Sequence, residues 1–246
     1  MSKTIILIPS RLSASRLPGK PLLRINGLPI ICHVFNKAKK TNIGRVVVCA
    51  EDNEIINEVK NIGGEAILTS DQHRSGSDRI FEGFKKLEIN NIDYILNLQG
   101  DEPNIDEKDI INLNNLMINN NPDLGTLATK IKNKSILSNE NIVKVTLKEK
   151  LSERNFPLAT NFYRKNLTIK NENIYHHIGI YIYKVNILEK FINLKQTDSE
   201  IKYKLEQMRA LDNGIKINVA LAKSNPIGID TKEDYLALKK IMEYKS

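Results

Sequence analysis

The chain has only two cysteines, Cys32 and Cys49, and neither sits in a CxxC or Cys/His spacing that would hold zinc. Both fall among apolar residues, one in a helix-like and one in a strand-like stretch, so both are expected to be inert core thiols. Long apolar runs are missing as well. The longest, Ile5–Ile8 and Val46–Ala50, are too short to cross a bilayer. Four apolar residues stopped by Pro9 do not make the apolar region of a signal peptide, so the expected compartment is the cytoplasm. No Walker A loop and no GxGxxG occurs, which removes the usual nucleotide cradles. There is no basic block either. The net charge of +8, from 37 basic against 29 acidic residues, is spread along the chain without interleaved aromatics. It reads as a general surface bias and does not argue for nucleic acid.

What is present is a chain of 246 residues, 41% apolar, long enough to bury a sizeable core. Thr4–Ile8 is a β-type run, and apolar residues from Pro29 to Lys40 recur at helical spacing. Arg45–Ala50 is a nearly unbroken apolar strand, Asp52–Ile62 a helix stopped by Gly63-Gly64, and Glu65–Thr69 a strand. Ser75–Leu87 reads as a helix, Asp93–Leu98 as a strand and Asp106–Asn119 as a helix. This alternation predicts an α/β fold, a mostly parallel sheet with helices on both faces. Ligands of such sheets sit beyond the carboxyl ends of the strands, which directs attention to loops 9–20, 70–79 and 99–105. After about residue 125 the texture becomes richer in strands, with Gly125–Ile131, Ile142–Leu147, Tyr175–Tyr183 and Lys216–Leu221. Helices are expected at Ile187–Leu194 and Ser199–Leu211, and a last helix capped by Asp230 or Thr231.

Two motifs are chemically legible. Arg11, Arg16 and Lys20 share one loop directly after a strand, beside small residues that let backbone approach a ligand. Converging cations of this kind suit a polyphosphate; a solvated basic loop is the plainer alternative. Asn97-Leu98-Gln99-Gly100-Asp101-Glu102-Pro103 ends an apolar strand in an amide and two carboxylates, hard oxygen ligands suited to Mg²⁺ held jointly with phosphates.

Six segments in register, covering almost the whole chain, resemble the 3-deoxy-manno-octulosonate cytidylyltransferase (CMP-Kdo synthetase) family. They are Pro9–Leu22, Asp71–Arg79, Asn97–Pro103, His177–Tyr181, Leu205–Arg209 and Gly228–Thr231. The resemblance implies a Rossmann-like nucleotidyltransferase sheet with a small β-rich dimerisation and acceptor subdomain. It implies a single domain over 1–246: about 1–125 for the nucleotide, about 126–215 for the acceptor and dimer contact, and 216–246 returning to the sheet. The implied reaction moves CMP from CTP to the sugar acid Kdo for lipopolysaccharide biosynthesis, with Mg²⁺ as cofactor and a homodimer as the assembly. No nucleic acid and no membrane insertion is expected.

The resemblance also carries site residues. Pro9, Ser10, Arg11, Arg16, Lys20, Ser75, Gly76 and Arg79 would contact the nucleotide; Arg11, Arg16, Lys20 and Asp101 would be catalytic; Asp101 and Asp230 would hold metal. Gln99, His177, Tyr181, Glu206 and Gln207 would bind the sugar acid. The family's Tyr-Phe-Ser-Arg stretch has no Ser-Arg counterpart in Asn155–Phe162, and the stretch Phe156–Ile174, polar and irregular in its pattern, is assigned by the resemblance to the dimer contact. The rival readings are a cytidylyltransferase for amino-Kdo or a sialic acid, and a non-catalytic nucleotide- or RNA-binding domain. Leu12–Leu17 departs from the glycine- and serine-rich first loop of the sialic-acid enzymes, and a pure phosphate binder gains nothing from Asp101 and Asp230.

Overall fold

A computed structural model describes residues 3–13, 16–133, 135–164 and 173–244. The order is β1 (Thr4–Ser10), a 3₁₀ turn at Lys20–Leu22, β2 (Arg24–Ile25), β3 (Leu28–Pro29), α1 (Ile30–Lys40), β4 (Val46–Ala50), α2 (Asn53–Asn61), β5 (Ala66–Leu68), α3 (Gly76–Lys86), β6 (Tyr94–Asn97) and α4 (Glu107–Asn120). Then come β7 (Leu124–Lys130), α5 (Ser135–Ser138), β8 (Lys144–Leu147), β9 (Ala159–Tyr163), β10 (Ile174–Lys184), α6 (Val185–Ile192), α7 (Asp198–Tyr203), α8 (Gln207–Asp212), β11 (Ile217–Leu221) and α9 (Lys232–Glu243). The chain forms two compact units, Met1–Ile110 with Asn225–Ser246, and Ile111–Ser224.

In the first unit β1, β4 and β6 are buried along their whole lengths, as their unbroken apolar sequences require of strands covered on both faces. All pairings are parallel, in the order β6-β1-β4-β5. The chain runs outward from β1 to β4 to β5, then returns to the other side of β1 for β6. That reversal is the topological switch point at which α/β sheets open a ligand crevice. Helix α3 closes on the sheet through Gly83, where an added Cβ would meet Cys49 Sγ at 2.4 Å. Both cysteines are buried, and burial pushes the Cys32 thiol up to about 11 and the Cys49 thiol up to about 12. A separate cluster of Ile25, Ile30, Ile229 and Leu238, joined by Leu17, Leu23 and Tyr235, packs α9 and the segment before it against the hairpin β2–β3.

In the second unit β10 pairs antiparallel with β7 and with β8, β8 pairs antiparallel with β9, and β11 pairs parallel with β7. β9 corrects the expectation of an irregular 156–174. Its residues Ala-Thr-Asn-Phe-Tyr carry no period-two pattern, and its register shifts at Thr146/Leu147. The remaining part of that expected dimer contact, 165–172, lies outside the described residues.

The single helix expected over Ser199–Leu211 is two, α7 and α8, separated by Lys204 in the left-handed region at φ 53°. The physical reason is the pair Glu200–Arg209. Nine residues apart on one straight helix, they would face opposite sides. The break lets Arg209 Nε and Nη2 donate to Glu200 at 2.8 and 2.6 Å, with both side chains buried and the guanidinium 4.7 Å from the Phe191 ring. Although burial opposes it, these bonds hold the Glu200 carboxyl below its usual range. No helix among the described residues is long and apolar enough to cross a membrane.

Candidate active site

The cleft at the switch point measures about 280 Å³ and is built from the first unit alone. β1 delivers Pro9 and Ser10; the loop behind it delivers Arg11, Arg16, Leu17 and Lys20; the segment into α3 delivers His73–Gly76 and Arg79; the end of β6 delivers Gln99–Asp101. Asp230 enters from the far end of the sequence. It is not a residue that follows a strand directly, because β11 ends at Leu221. Two bonds bring it in: the Ile229 amide donates to Asp101 O at 3.0 Å and the Ile227 amide to Asn104 Oδ1 at 3.1 Å. Of the two possible caps of α9 the structure takes Thr231, in a capping box with Asp234, which leaves the Asp230 side chain free for the cleft.

Two glycines shape the floor. A Cβ on Gly100 would lie 2.9 Å from the Pro9 carbonyl oxygen, and one on Gly76 would lie 3.1 Å from Pro9 Cγ. The backbone of both motifs can approach β1 only without a side chain there.

The carboxylates and cations are interleaved. Lys20 Nζ donates to Asp101 Oδ2 at 2.6 Å and to the Ile229 carbonyl at 2.6 Å, and lies 3.7 Å from Asp230 Oδ1. Arg16 Nη2 is 2.9 Å from the same Asp230 oxygen. Asp101 and Asp230 therefore meet on one ammonium. Glu102 stands behind them with Oε2 buried and unpartnered among the described residues. Burial, then the nearby Asp101 and Asp230 charges, raise its carboxyl to about 8 against the opposing effect of Lys20.

The other sequence candidates sort by environment. Ser10 lines the cleft with its buried hydroxyl unpartnered among the described residues. The Ser75 hydroxyl serves as the N-cap of α3, accepting the Asp78 amide at 3.1 Å and donating to Asp78 Oδ2 at 2.9 Å. Arg79 lines the cleft, yet its guanidinium is engaged with Glu51, with Thr69 Oγ1 at 2.8 Å and with Ser70 O at 3.1 Å. Gln99 donates its amide to Asn97 Oδ1 at 3.2 Å. His73, Arg74, Glu51 and Asp52 carry no role from the sequence reading. The first two were visible as part of the Asp71–Arg79 segment, and the last two follow β4 at the same sheet edge as the other ligand loops.

His177, Tyr181, Glu206 and Gln207 belong to the second unit. A register shift between Ile178 and Tyr181 bends β10, held by Thr126 Oγ1 donating to Ile180 O at 2.7 Å. The His177 and Tyr181 ring centroids are still 5.6 Å apart, on one side of the strand. His177 Nε2 is 3.0 Å from Thr126 Oγ1, and its ring meets Phe162 edge-on at 5.0 Å. Burial, then the neighbouring His176 and Arg164 charges, lower its pKa to about 3. Gln207 is buried, and Glu206 lies 3.9 Å from Arg209 Nη2.

Comparison with known proteins matches residues 5–217 to the cytidylyltransferase family model. The chain belongs to the cytidylyltransferase family. This cytidylyltransferase is 41% identical over 240 residues to the 3-deoxy-manno-octulosonate cytidylyltransferase of Afipia carboxidovorans, covering 97% of this chain and 96% of that one. It is also 41% identical to the protein of the same name from Thermodesulfovibrio yellowstonii, covering 97% and 98%. Among solved structures, CMP:2-keto-3-deoxy-manno-octonic acid synthetase complexed with CTP superposes over 100% of both chains with a TM-score of 0.90 at 31% identity. UTP-bound UGPase from Acinetobacter baumannii shares the fold, with a TM-score of 0.71 at 11% identity, covering 100% of this chain and 95% of that one. The cytidylyltransferase is thus a nucleotidyltransferase enzyme of mixed α/β architecture with a mostly parallel central sheet flanked by helices.

Proposed function

We propose that the enzyme transfers CMP from CTP to 3-deoxy-D-manno-octulosonate, releasing pyrophosphate, and that the CMP-Kdo formed feeds lipopolysaccharide assembly. The observation that carries this reading is the meeting of Asp101 and Asp230 on Lys20 within a cation-lined cleft at the switch point. A domain that merely bound phosphates or RNA would be weakened by two carboxylates at that place.

The residues fit magnesium held together with a triphosphate. Among the described residues no group of three or more His, Cys, Asp or Glu side chains could hold a metal ion. Two carboxylates are enough when phosphate oxygens complete the shell, as is usual for this ion. Magnesium, when bound by Asp101 and Asp230, supplies neutralisation of the phosphate charge.

The protein's own residues do the rest. Arg11, Arg16 and Lys20 bind the triphosphate and stabilise the charge gathering on the departing pyrophosphate. The amides opening α3 at Ser75 and Gly76 face the nucleotide, with Pro9 and Ser10 as further contacts, while Arg79 braces the segment from behind through Glu51, Thr69 and Ser70. Gln99, His177, Tyr181, Glu206 and Gln207 are assigned to the sugar acid. His177, neutral at physiological pH, serves there as a hydrogen-bonding group and not as a charge. The anomeric hydroxyl oxygen bonds to the α-phosphorus as the bond from that phosphorus to pyrophosphate breaks, and its proton passes to solvent. No covalent enzyme intermediate is required, so positioning and charge neutralisation supply the catalysis.

The test is pyrophosphate release with CTP, Mg²⁺ and a panel of Kdo, amino-Kdo and a sialic acid. Release with Kdo is the expected result. Release with a sialic acid alone replaces the acceptor, and release with none overturns the reading.

A further inference from the structure

Two consecutive carboxylates at the carboxyl end of β4, Glu51 and Asp52, play no part in the assignment above, yet both are committed to loops outside their own element. Asp52 is the N-cap residue of α2, where an aspartate ordinarily accepts an amide of its own first turn. It makes no such bond. Its Oδ2 instead accepts the Leu12 amide at 2.8 Å. The next residue of that loop, Ser13, donates its hydroxyl to Glu51 Oε1 at 2.8 Å. The second oxygen of Glu51 takes the guanidinium of Arg79, which also holds Thr69 and Ser70. The Arg79 and Glu51 side chains are 3% and 9% exposed. Burying a carboxylate so fully is unfavourable unless both its oxygens find donors, and here the donors come from different loops.

We propose that Glu51 is a positioning residue for the nucleotide. With Ser13 on one oxygen and Arg79 on the other, it sets the spacing between the loop carrying Arg11 and Arg16 and the segment carrying Arg74 and Ser75. The inference rests on reading this cleft as the CTP site. Loops ordered in advance lose less freedom on binding, so the loss of Glu51 falls on nucleotide affinity and not on the chemical step.

Glu51→Gln keeps the size of the side chain but removes its charge and one accepting oxygen, so the ionic link to Arg79 is lost and Ser13 meets an amide in place of a carboxylate. Calorimetry with CTP and Mg²⁺ is expected to show Kd raised about tenfold, KM rising in parallel and kcat staying within about twofold. Ser13→Ala changes an exposed side chain, so it is expected to raise KM while the melting temperature stays where it was. The double variant is expected to be no worse than Glu51→Gln, because both changes cut one link. Unchanged Kd and KM in Glu51→Gln, or effects of the two changes that multiply, overturn the proposal. Should Glu51→Gln fail to fold, a silent Ser13→Ala overturns it by itself. A wild-type protein that binds no CTP defeats the nucleotide reading instead, and this inference with it.

Discussion

Lys20 is the cation on which Asp101 and Asp230 meet, and its burial decides what each carboxylate contributes to stability. Reasoned from charges alone, the two aspartates would repel, and removing either would relieve the fold. The structure replaces that expectation, because an ammonium only 13% exposed already compensates Asp101 at 2.6 Å. Asp101→Asn is therefore expected to abolish pyrophosphate release and also to lower stability by about 1 kcal/mol, read from urea unfolding. Asp230 faces Arg16 across an exposed pair, the two side chains 54% and 38% accessible for Arg16 and Asp230. Asp230→Asn should also abolish release, but change stability by less than about 0.5 kcal/mol, as exposed pairs do. Arg16→Ala is expected to weaken CTP binding by about 1.5–3 kcal/mol while leaving the melting temperature intact. Calorimetry checks it, and unchanged affinity would remove Arg16 from the triphosphate site.

At the scale of elements, most strands and helices were legible because each carries one clear period. β1, β4 and β6 are continuous apolar runs, and α1 and α3 show apolar residues at helical spacing. The misreadings fall where a distant partner overrides the local pattern. The α7–α8 break answers to the Glu200–Arg209 pair, and β9 exists because β8 offers it an edge. Helix α9 shows the opposite case, with a start written locally in Thr231 and Asp234. Thr231 Oγ1 accepts the Asp234 amide at 3.2 Å, and Asp234 Oδ2 accepts the Thr231 amide at 2.9 Å and the Asp230 amide at 3.2 Å. Thr231→Ala is expected to cost about 1 kcal/mol in urea unfolding. It should also raise the KM for CTP, since the same box orients Asp230.

For the molecule as a whole, His177 sets a pH dependence. Its folded pKa of about 3 lies below the usual histidine value, so the unfolded chain binds the extra proton first as pH falls. The stabilising contribution is complete above about pH 6.5 and is lost progressively toward pH 3. By pH 5 the loss amounts to about 2 kcal/mol. Urea titrations at pH 7 and 5 should show this difference in the wild type and a smaller one in His177→Gln. Equal differences would mean that other groups govern the acid side. We also expect a homodimer with two-fold symmetry. Light scattering should give twice the 28.0 kDa of the chain, and a particle of 28.0 kDa at micromolar concentration would count against it.

The amino-acid sequence by itself determined the alternation of strands and helices, the parallel sheet, and the loops that follow β1, β5 and β6. Hydrophobic period and capping residues act within a few positions of one another, so they are readable along the chain. It also marked Arg11, Arg16, Lys20 and Asp101 as a constellation, because cations and carboxylates at the ends of apolar strands have few structural uses. Tertiary structure alone decided that Asp230, far from Asp101 in sequence, shares its lysine, since the bonds from Ile229 and Ile227 that carry it there cross more than a hundred residues. It decided too that Arg79 turns to Glu51, and that Ser75 spends its hydroxyl on a helix cap. A side chain's partner depends on which loops the sheet brings side by side, and that distance is written in strand order and not in any local pattern.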